Sequence, residues 1–311
     1  MRTLHIGLGE VGLSLAKNAL DRKLEIIGFD VSASVRDNAS DLGIPCYGNL
    51  EDAISALNCK RKIIIVTIPA EHVTYLLEEL CEFLSEGDCI VDVGNSFFKD
   101  SIIQHQQCSM FGINFIDCGL LGGVYGARNG ASLLLGGEND AVSLVKPCLE
   151  IISNGNMCVH AGGPGSGHFA KMIHNSIEYS MMGAIAEGFY MLDEHKKGLD
   201  LNISSILESY TQGSVIESRL IKWLNEIYKR DSSLHYISET VSPEKRDMNM
   251  EYITRHETAR ILEAALIQRK LTRLEPSTIG LIINAMRSHF GDSVKESKVH
   301  KNKKLTSQTP V

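Results

Sequence analysis

The glycines of Gly7-Leu8-Gly9-Glu10-Val11-Gly12 constrain this chain more than any other feature. They follow the apolar run "TLHI" and lead into "EVGLSLAKNALDRK", whose apolar spacing is helical. A G-x-G-x-x-G turn between a strand and a helix uses its glycines for a tight turn, for close approach of backbone to pyrophosphate, and for close helix–strand packing. The helix start then offers N–H donors and a positive dipole end to phosphate. A second apolar run, "LEIIGFD", ends at Asp30, roughly 20 residues beyond Gly9. A carboxylate there can accept hydrogen bonds from ribose hydroxyls and repels a 2′-phosphate. The expected cofactor set is Gly7, Leu8, Gly9, Val11, Gly12 and Asp30, with Thr67, Pro69 and Asn95 after the later apolar runs. No Arg or Lys immediately follows Asp30 in "FDVSAS", which favours NAD over NADP. Glu10, at the mouth of the turn, reads as an exposed acid suited to the helix dipole.

The pattern that opens at the turn repeats. "KRKIIIVTI" and "DCIVDVG" are nearly continuous apolar runs, with the helical "AEHVTYLLEELCEFLS" between them. "NFIDCG", "ASLLLGG" and "MCVHAG" continue the series to about Gly163. Continuous apolar strands suit a parallel sheet covered on both faces, and the alternation argues a doubly wound α/β domain. After Pro164 helical patterns follow near 165–196, 202–212, 214–229, 250–270 and 275–290, with no convincing strand. The expected architecture is a Rossmann-type α/β domain over 1–163, an all-α substrate and dimerisation domain over 164–295, and a polar, disordered tail over 296–311.

Bulk composition narrows the partners. The chain of 311 residues is 43% hydrophobic and 22% charged with a formal net charge of −7, ordinary for a soluble protein and unfavourable for bulk attraction to nucleic acid or anionic membrane. The apolar run Ile63 to Ile68 is too short to cross a bilayer, and the N-terminus lacks the pattern of a secretory leader. The eight cysteines form no C-x-x-C and no zinc-finger spacing, so they are expected to be reduced core residues of a cytoplasmic protein without a metal site.

The stretch "GSGHFAKMIHNSIEYSMMGAIAEGF" carries the chemistry. Lys171, His174, Asn175 and Glu178 stand at i, i+3, i+4 and i+7, so they form one stripe on an otherwise apolar helix. Such a stripe either faces solvent or lines a site. This helix opens where the nucleotide-binding domain is expected to end, beside an interdomain cleft of the kind that binds ligands. Burial lowers a lysine pKa and raises a glutamate pKa, which suits the first to take a proton from a hydroxyl and the second to give one to a carbanion-like centre. Asn175 and His174 can hold substrate oxygens.

These residues carry a resemblance. "GPGSGHFAKMIHNSIEY" resembles the signature helix of 6-phosphogluconate dehydrogenases, in which a lysine is followed by His-Asn-Gly and Ile-Glu-Tyr. "DVGNS" resembles that family's Gly-Asn-Ser segment, and "GLLGGVYGARNGASLLLGG" its Ser-Gly-Gly loop and following strand. "YTQGSVIES" and "AMRSHFGDS" resemble two later helical segments, so the likeness covers about residues 3 to 295. The short length and Asp30 are similar to the NAD-preferring short form, within the broader β-hydroxyacid dehydrogenase superfamily. The resemblance implies oxidation of a sugar acid at C3 by NAD(P) and loss of the carboxylate as CO₂. It implies that Lys171 is the base and then the acid at that oxygen, that Glu178 protonates the enediol carbon, and that Asn95, Gly122, Gly123, His174 and Asn175 position substrate. It further implies a homodimer or dimer-based oligomer.

The departures from the family pattern cluster on the substrate side. The loop serine is Leu121, the arginine after "GSVI" is Glu217, and the late histidine is Ser293. "VSPEKRDMN" stands where the family has Gly-x-Gly-[Lys/Arg]-Trp. Tyr179 and Arg287 match phosphate-side positions. A glutamate in place of an arginine reverses the sign beside a dianion. The expected function is oxidative decarboxylation of a 3-hydroxy acid with a changed, less phosphate-dependent substrate. The alternatives are a true 6-phosphogluconate dehydrogenase, a dehydrogenase that does not decarboxylate, and a non-catalytic NAD-binding sensor or scaffold.

Overall fold

Strand Ile63–Val66 (β4) shows why the first half folds as it does. Ile63 and Ile65 pack into one buried cluster and Ile64 and Val66 into another, so successive side chains of one strand feed cores on opposite faces of the sheet. At about 1.5–3 kcal/mol for each fully buried aliphatic side chain, only a strand sandwiched by helices gains from four in a row. The computed structural model describes residues 2–243, 245–255 and 258–288. Ser293 and the tail 296–311 lie outside the described residues.

The described residues fall into two compact units, divided between Met172 and Ile173. In the first, Arg2–Ile6 (β1), Glu25–Phe29 (β2), Cys46–Tyr47 (β3), β4, Cys89–Asp92 (β5), Asn114–Leu121 (β6), Ser132–Gly136 (β7) and Cys158–Gly162 (β8) form one sheet in the order β3-β2-β1-β4-β5-β6-β7-β8. Helices Glu10–Asp21 (α1), Ala33–Asp41 (α2), Leu50–Ser55 (α3), Val73–Phe83 (α4), Phe98–Ser109 (α5), Gly123–Asn129 (α6) and Asn139–Ser153 (α7) connect the strands. The order reverses between β1 and β4, the switch point at which doubly wound sheets bind ligands beyond the strands' carboxyl ends.

Two strands depart from the parallel expectation: β7 runs antiparallel to β6, and β8, parallel to β7, is reversed with it. The connection from β6 to β7 holds only the short helix α6, whereas a parallel return needs a crossover of about a dozen residues or more. All eight cysteines are free thiols within this unit, and burial pushes Cys148 up to about 11 and Cys108 up to about 12.

Helix Ser166–Leu199 (α8) runs from the first unit into the second. The second unit continues with Ile203–Tyr210 (α9), Arg219–Arg230 (α10), Lys245–Thr254 (α11), Arg260–Leu274 (α12) and Thr278–Arg287 (α13), around a core that includes Met182, Phe189, Leu207, Leu224, Ile227, Ile282 and Ile283. The expected helix over 250–270 is two helices, α11 and α12, which pack on each other and are tied by Lys270 Nζ to Glu251 Oε1 at 2.5 Å, an arrangement a single helix cannot make. Likewise α10 starts only at Arg219, where the Ser218 side chain accepts from Ile221 N; Gly213, at φ +76°, turns the chain before it.

Candidate active site

The glycine turn is built as its spacing predicts. Gly7 sits at φ +85°, a conformation L side chains rarely adopt. A Cβ on Gly12 would stand 1.9 Å from Gly7 O and 2.4 Å from Thr67 Oγ1, so this glycine permits the close packing of α1 on the turn. A Cβ on Gly9 would meet nothing within 4 Å. Packing within the protein therefore does not require glycine at this position, and the open space suits a ligand phosphate at the start of α1. Thr67 braces the turn, its hydroxyl donating to Gly7 O at 2.6 Å. Leu8 is buried, Val11 half-buried, and Glu10 is exposed in the first turn of α1.

Asp30 is tied to this turn. Its Oδ2 accepts from Leu8 N at 2.8 Å and its Oδ1 from Ser32 N at 2.9 Å, which fixes the carboxylate and leaves lone pairs for ribose hydroxyls. These features fit an adenine dinucleotide. The spacing did not show Arg36: α2 folds it back, and its Nη1 donates to Asp30 O at 2.7 Å and to Val31 O at 3.1 Å. A cation therefore stands beside the acid, although no Arg or Lys immediately follows Asp30 in the sequence.

Three further parallel strands end on the same edge and carry the other expected residues there. Pro69 follows β4, Asn95 follows β5, and Leu121 closes β6 ahead of Gly122 and Gly123. Asn95 is exposed and Leu121 half-buried. Gly122 and Gly123 adopt φ +113° and +58°, so the sharp turn into α6 depends on glycine. Asp92 organises the loop that holds Asn95: Oδ1 accepts from Gly94 N at 2.8 Å and Oδ2 from Ser96 Oγ at 2.6 Å.

The first turns of α8 belong to this edge. Asp117, buried on β6, accepts from Gly165 N and His168 N, both at 2.7 Å, and so caps the helix start. Lys171 is half-buried and its Nζ donates to Gly94 O at 3.0 Å. His168 is buried, with Nδ1 2.8 Å from Ser101 Oγ; burial lowers its pKa, against the opposing pull of Asp92 and Asp117. Asp92, Asp117 and His168 form a polar set around the lysine that sequence reasoning missed as a set, because they come from three separate elements.

Further along α8, in the second unit, His174, Asn175 and Glu178 are half-buried. His174 Nδ1 lies 3.4 Å from Asn175 Oδ1 and 3.7 Å from Glu178 Oε2. Tyr179, next in the chain, is buried, with the Arg269 guanidinium 3.9 Å above its ring. Arg287 is buried and donates through Nη1 to Asn284 Oδ1 at 3.0 Å. Glu217 is exposed, with Oε1 2.6 Å from Lys222 Nζ and Oε2 accepting from Gly213 N; these bonds hold its carboxyl below the usual range. Its charge is thus compensated locally. Among the described residues no group of three or more His, Cys, Asp or Glu side chains stands where it could hold a metal ion, and no helix is long and apolar enough to cross a membrane.

Known proteins are similar to this chain. The NAD binding domain of 6-phosphogluconate dehydrogenase matches residues 4–163, and the 6-phosphogluconate dehydrogenase C-terminal domain matches residues 167–242. YqeC of Bacillus subtilis, whose name assigns it provisionally as a 6-phosphogluconate dehydrogenase, is 34% identical over 94% of this chain and 98% of its own length. The NAD(+)-dependent, decarboxylating 6-phosphogluconate dehydrogenase of Haloferax volcanii is 33% identical over 73% of this chain and 75% of its own. The Plasmodium falciparum 6-phosphogluconate dehydrogenase structure has the same fold, with a TM-score of 0.77 at 24% identity, over 88% of this chain and 62% of that one. The chain belongs to the 6-phosphogluconate dehydrogenase family, NAD(P)-dependent dehydrogenases that act on CH–OH groups.

Proposed function

We propose that this protein catalyses the NAD-dependent oxidative decarboxylation of a 3-hydroxy acid whose recognition depends little on a phosphate group. The observation that carries the reading is the bond from Lys171 Nζ to Gly94 O, which sets the lysine beside Asn95 at the edge where the nucleotide turn opens. A bound nicotinamide supplies the hydride acceptor. Lys171 takes the proton of the substrate hydroxyl as C3 becomes a carbonyl, and returns it to that oxygen when the C1–C2 bond breaks and CO₂ leaves. Glu178 then protonates C2 of the enediol while Lys171 takes back the proton on the C3 oxygen, which leaves the ketone. Asn95, Gly122, Gly123, His174 and Asn175 position the substrate, with Leu121, Tyr179, Glu217 and Arg287 on its far side.

Asp30 supports NAD as the preferred nucleotide, since its fixed carboxylate opposes a 2′-phosphate. A homodimer in the cytoplasm is part of the proposal. Ile177 and Met181 on α8 and Ile261, Ile267, Leu271 and Leu274 on α12 are exposed apolar side chains suited to a partner subunit.

The names of the relatives favour a second reading, a true 6-phosphogluconate dehydrogenase. One experiment separates the two: NAD reduction against a panel of phosphorylated and plain 3-hydroxy acids, with CO₂ detection. Efficient turnover of 6-phosphogluconate, unimproved by Glu217→Arg, would exclude the changed substrate. NAD reduction without CO₂ would exclude decarboxylation.

A further inference from the structure

Arg269 is 1% exposed, the largest of the fully buried side chains. A guanidinium stays charged at any pH a protein meets, so burying it costs several kcal/mol unless counter-charge and hydrogen bonds compensate. Here the Tyr179 ring covers one face, and Asp247 Oδ1 lies 3.5 Å from Arg269 Nε. The other oxygen of the same carboxylate accepts from Arg273 Nη2. One buried aspartate thus bridges two arginines a helical turn apart on α12.

Asp247 is held in that place by the segment before it. Val241 N donates to Thr272 Oγ1 at 3.1 Å, and Arg273 Nε donates to Val241 O at 3.0 Å. Asn284 Nδ2 donates to Ser238 O at 2.8 Å and to Thr240 O at 3.0 Å. Gly280 lets the segment lie directly on α13, because a Cβ there would stand 1.9 Å from Glu239 O. This segment and Asp247 lie in and around "VSPEKRDMN", the stretch that stands where the family pattern has Gly-x-Gly-[Lys/Arg]-Trp.

Paired guanidinium groups beside an aromatic ring are a ready anion site, and a carboxylate and a phosphate compete for the same N–H forks. We infer that Asp247 is a specificity-determining residue: as an internal counter-ion to Arg269 and Arg273 it closes an arginine site next to Tyr179 to anionic ligand groups. The substrate end that reaches Tyr179 is then uncharged. This rests on the proposed placement of Tyr179, the neighbour of Glu178, in the substrate site.

The test is thermal unfolding of the full chain, titrated with inorganic phosphate and with sodium chloride at matched ionic strength. Wild type is expected to respond alike to both salts. Asp247→Asn and Asp247→Ala are expected to gain a saturable, phosphate-specific rise in Tm, lost again when Arg269→Gln is added. A phosphate-specific rise in wild type overturns the inference. So does an Asp247 variant that responds alike to both salts, or that folds in neither. A second arm compares kcat/KM for 6-phosphogluconate and gluconate. Asp247→Asn is expected to raise the ratio in favour of the phosphorylated acid at least ten-fold, and an unchanged ratio with measurable turnover overturns the specificity role. Failure of the dehydrogenase reading shows separately, as absence of NAD reduction by every variant, and leaves the phosphate titration to decide the role of Asp247.

Discussion

Gly119 makes the room that Lys171 occupies. A Cβ built on Gly119, in the middle of β6, would lie 2.8 Å from Lys171 Cβ and 2.8 Å from Gly167 O. Neither is the far end of a flexible side chain, so Gly119→Ala must push the first turns of α8 off the sheet. The displacement reaches the lysine at its root. Gly119→Ala is expected to lower kcat at least about ten-fold and stability by about 1–3 kcal/mol. Steady-state kinetics beside NAD binding by fluorescence checks this, since the glycine turn is remote and its affinity should hold. Weakened NAD binding with kcat intact would reverse the assignment.

Asp92 acts one step further back. Its two oxygens accept from Gly94 N and Ser96 Oγ, and Gly94 O in turn accepts from Lys171 Nζ. Asp92→Asn keeps the shape and the bond to Gly94 N, but removes the buried charge and forces Ser96 Oγ to accept where it donated, a change worth about 1–3 kcal/mol. The loop holding Asn95 then loosens. The expected outcome is a kcat lowered about 10- to 100-fold with the substrate KM changed much less, because the loss falls on alignment of the lysine. An equal rise in KM with kcat preserved would show that the loop serves binding alone.

The cofactor turn and the α8 stripe were legible because each is local. Gly7, Gly9 and Gly12 lie in one turn, and Lys171, His174, Asn175 and Glu178 lie within two turns of one helix, where spacing alone fixes which side chains share a face. The reversal of β7 was not legible, since strand direction depends on the path of α6 rather than on the apolar run itself. Asp247 and Arg269 were invisible for the same kind of reason. A charge in "EKRDMN" reads as solvated surface until folding lays it against α12. Arg36 lies between these cases: it is close to Asp30 in sequence, but only the direction of α2 turns it back.

Burial of His5 gives acid stability a definite sign. His5 is fully buried on β1, with Nε2 3.2 Å from Thr3 Oγ1, and desolvation lowers its pKa from 6.5 to about 4. The folded state therefore holds it neutral where the unfolded chain takes up a proton. The stability it contributes is complete above pH 6.5 and is lost as pH falls toward 4, amounting to roughly 2 kcal/mol by pH 5. The lowered pKa of His168 acts in the same direction. Urea unfolding at pH 7 and pH 5 is expected to show a fall in stability that is smaller in His5→Gln. Equal falls in both proteins would show that other groups carry the acid response.

Asp30 and Arg36 together are expected to set nucleotide choice. Asp30 presents a carboxylate, held by Leu8 N and Ser32 N, where the adenosine ribose is expected; Arg36 reaches Asp30 O and Val31 O from α2. A 2′-phosphate would meet the carboxylate first, yet would find a guanidinium close enough to swing toward it. The two effects oppose, so the preference for NAD is expected to be moderate and residual NADP activity to depend on the arginine. Arg36→Ala is expected to cut kcat/KM for NADP at least about ten-fold while changing that for NAD less than about three-fold. Asp30→Ser is expected to move the ratio toward NADP, because it removes the repulsion and keeps Arg36. Measuring both ratios in the two variants and in the double variant decides the matter. If Arg36→Ala lowers NAD and NADP use alike, the guanidinium only braces the strand end, and selectivity rests on Asp30 alone.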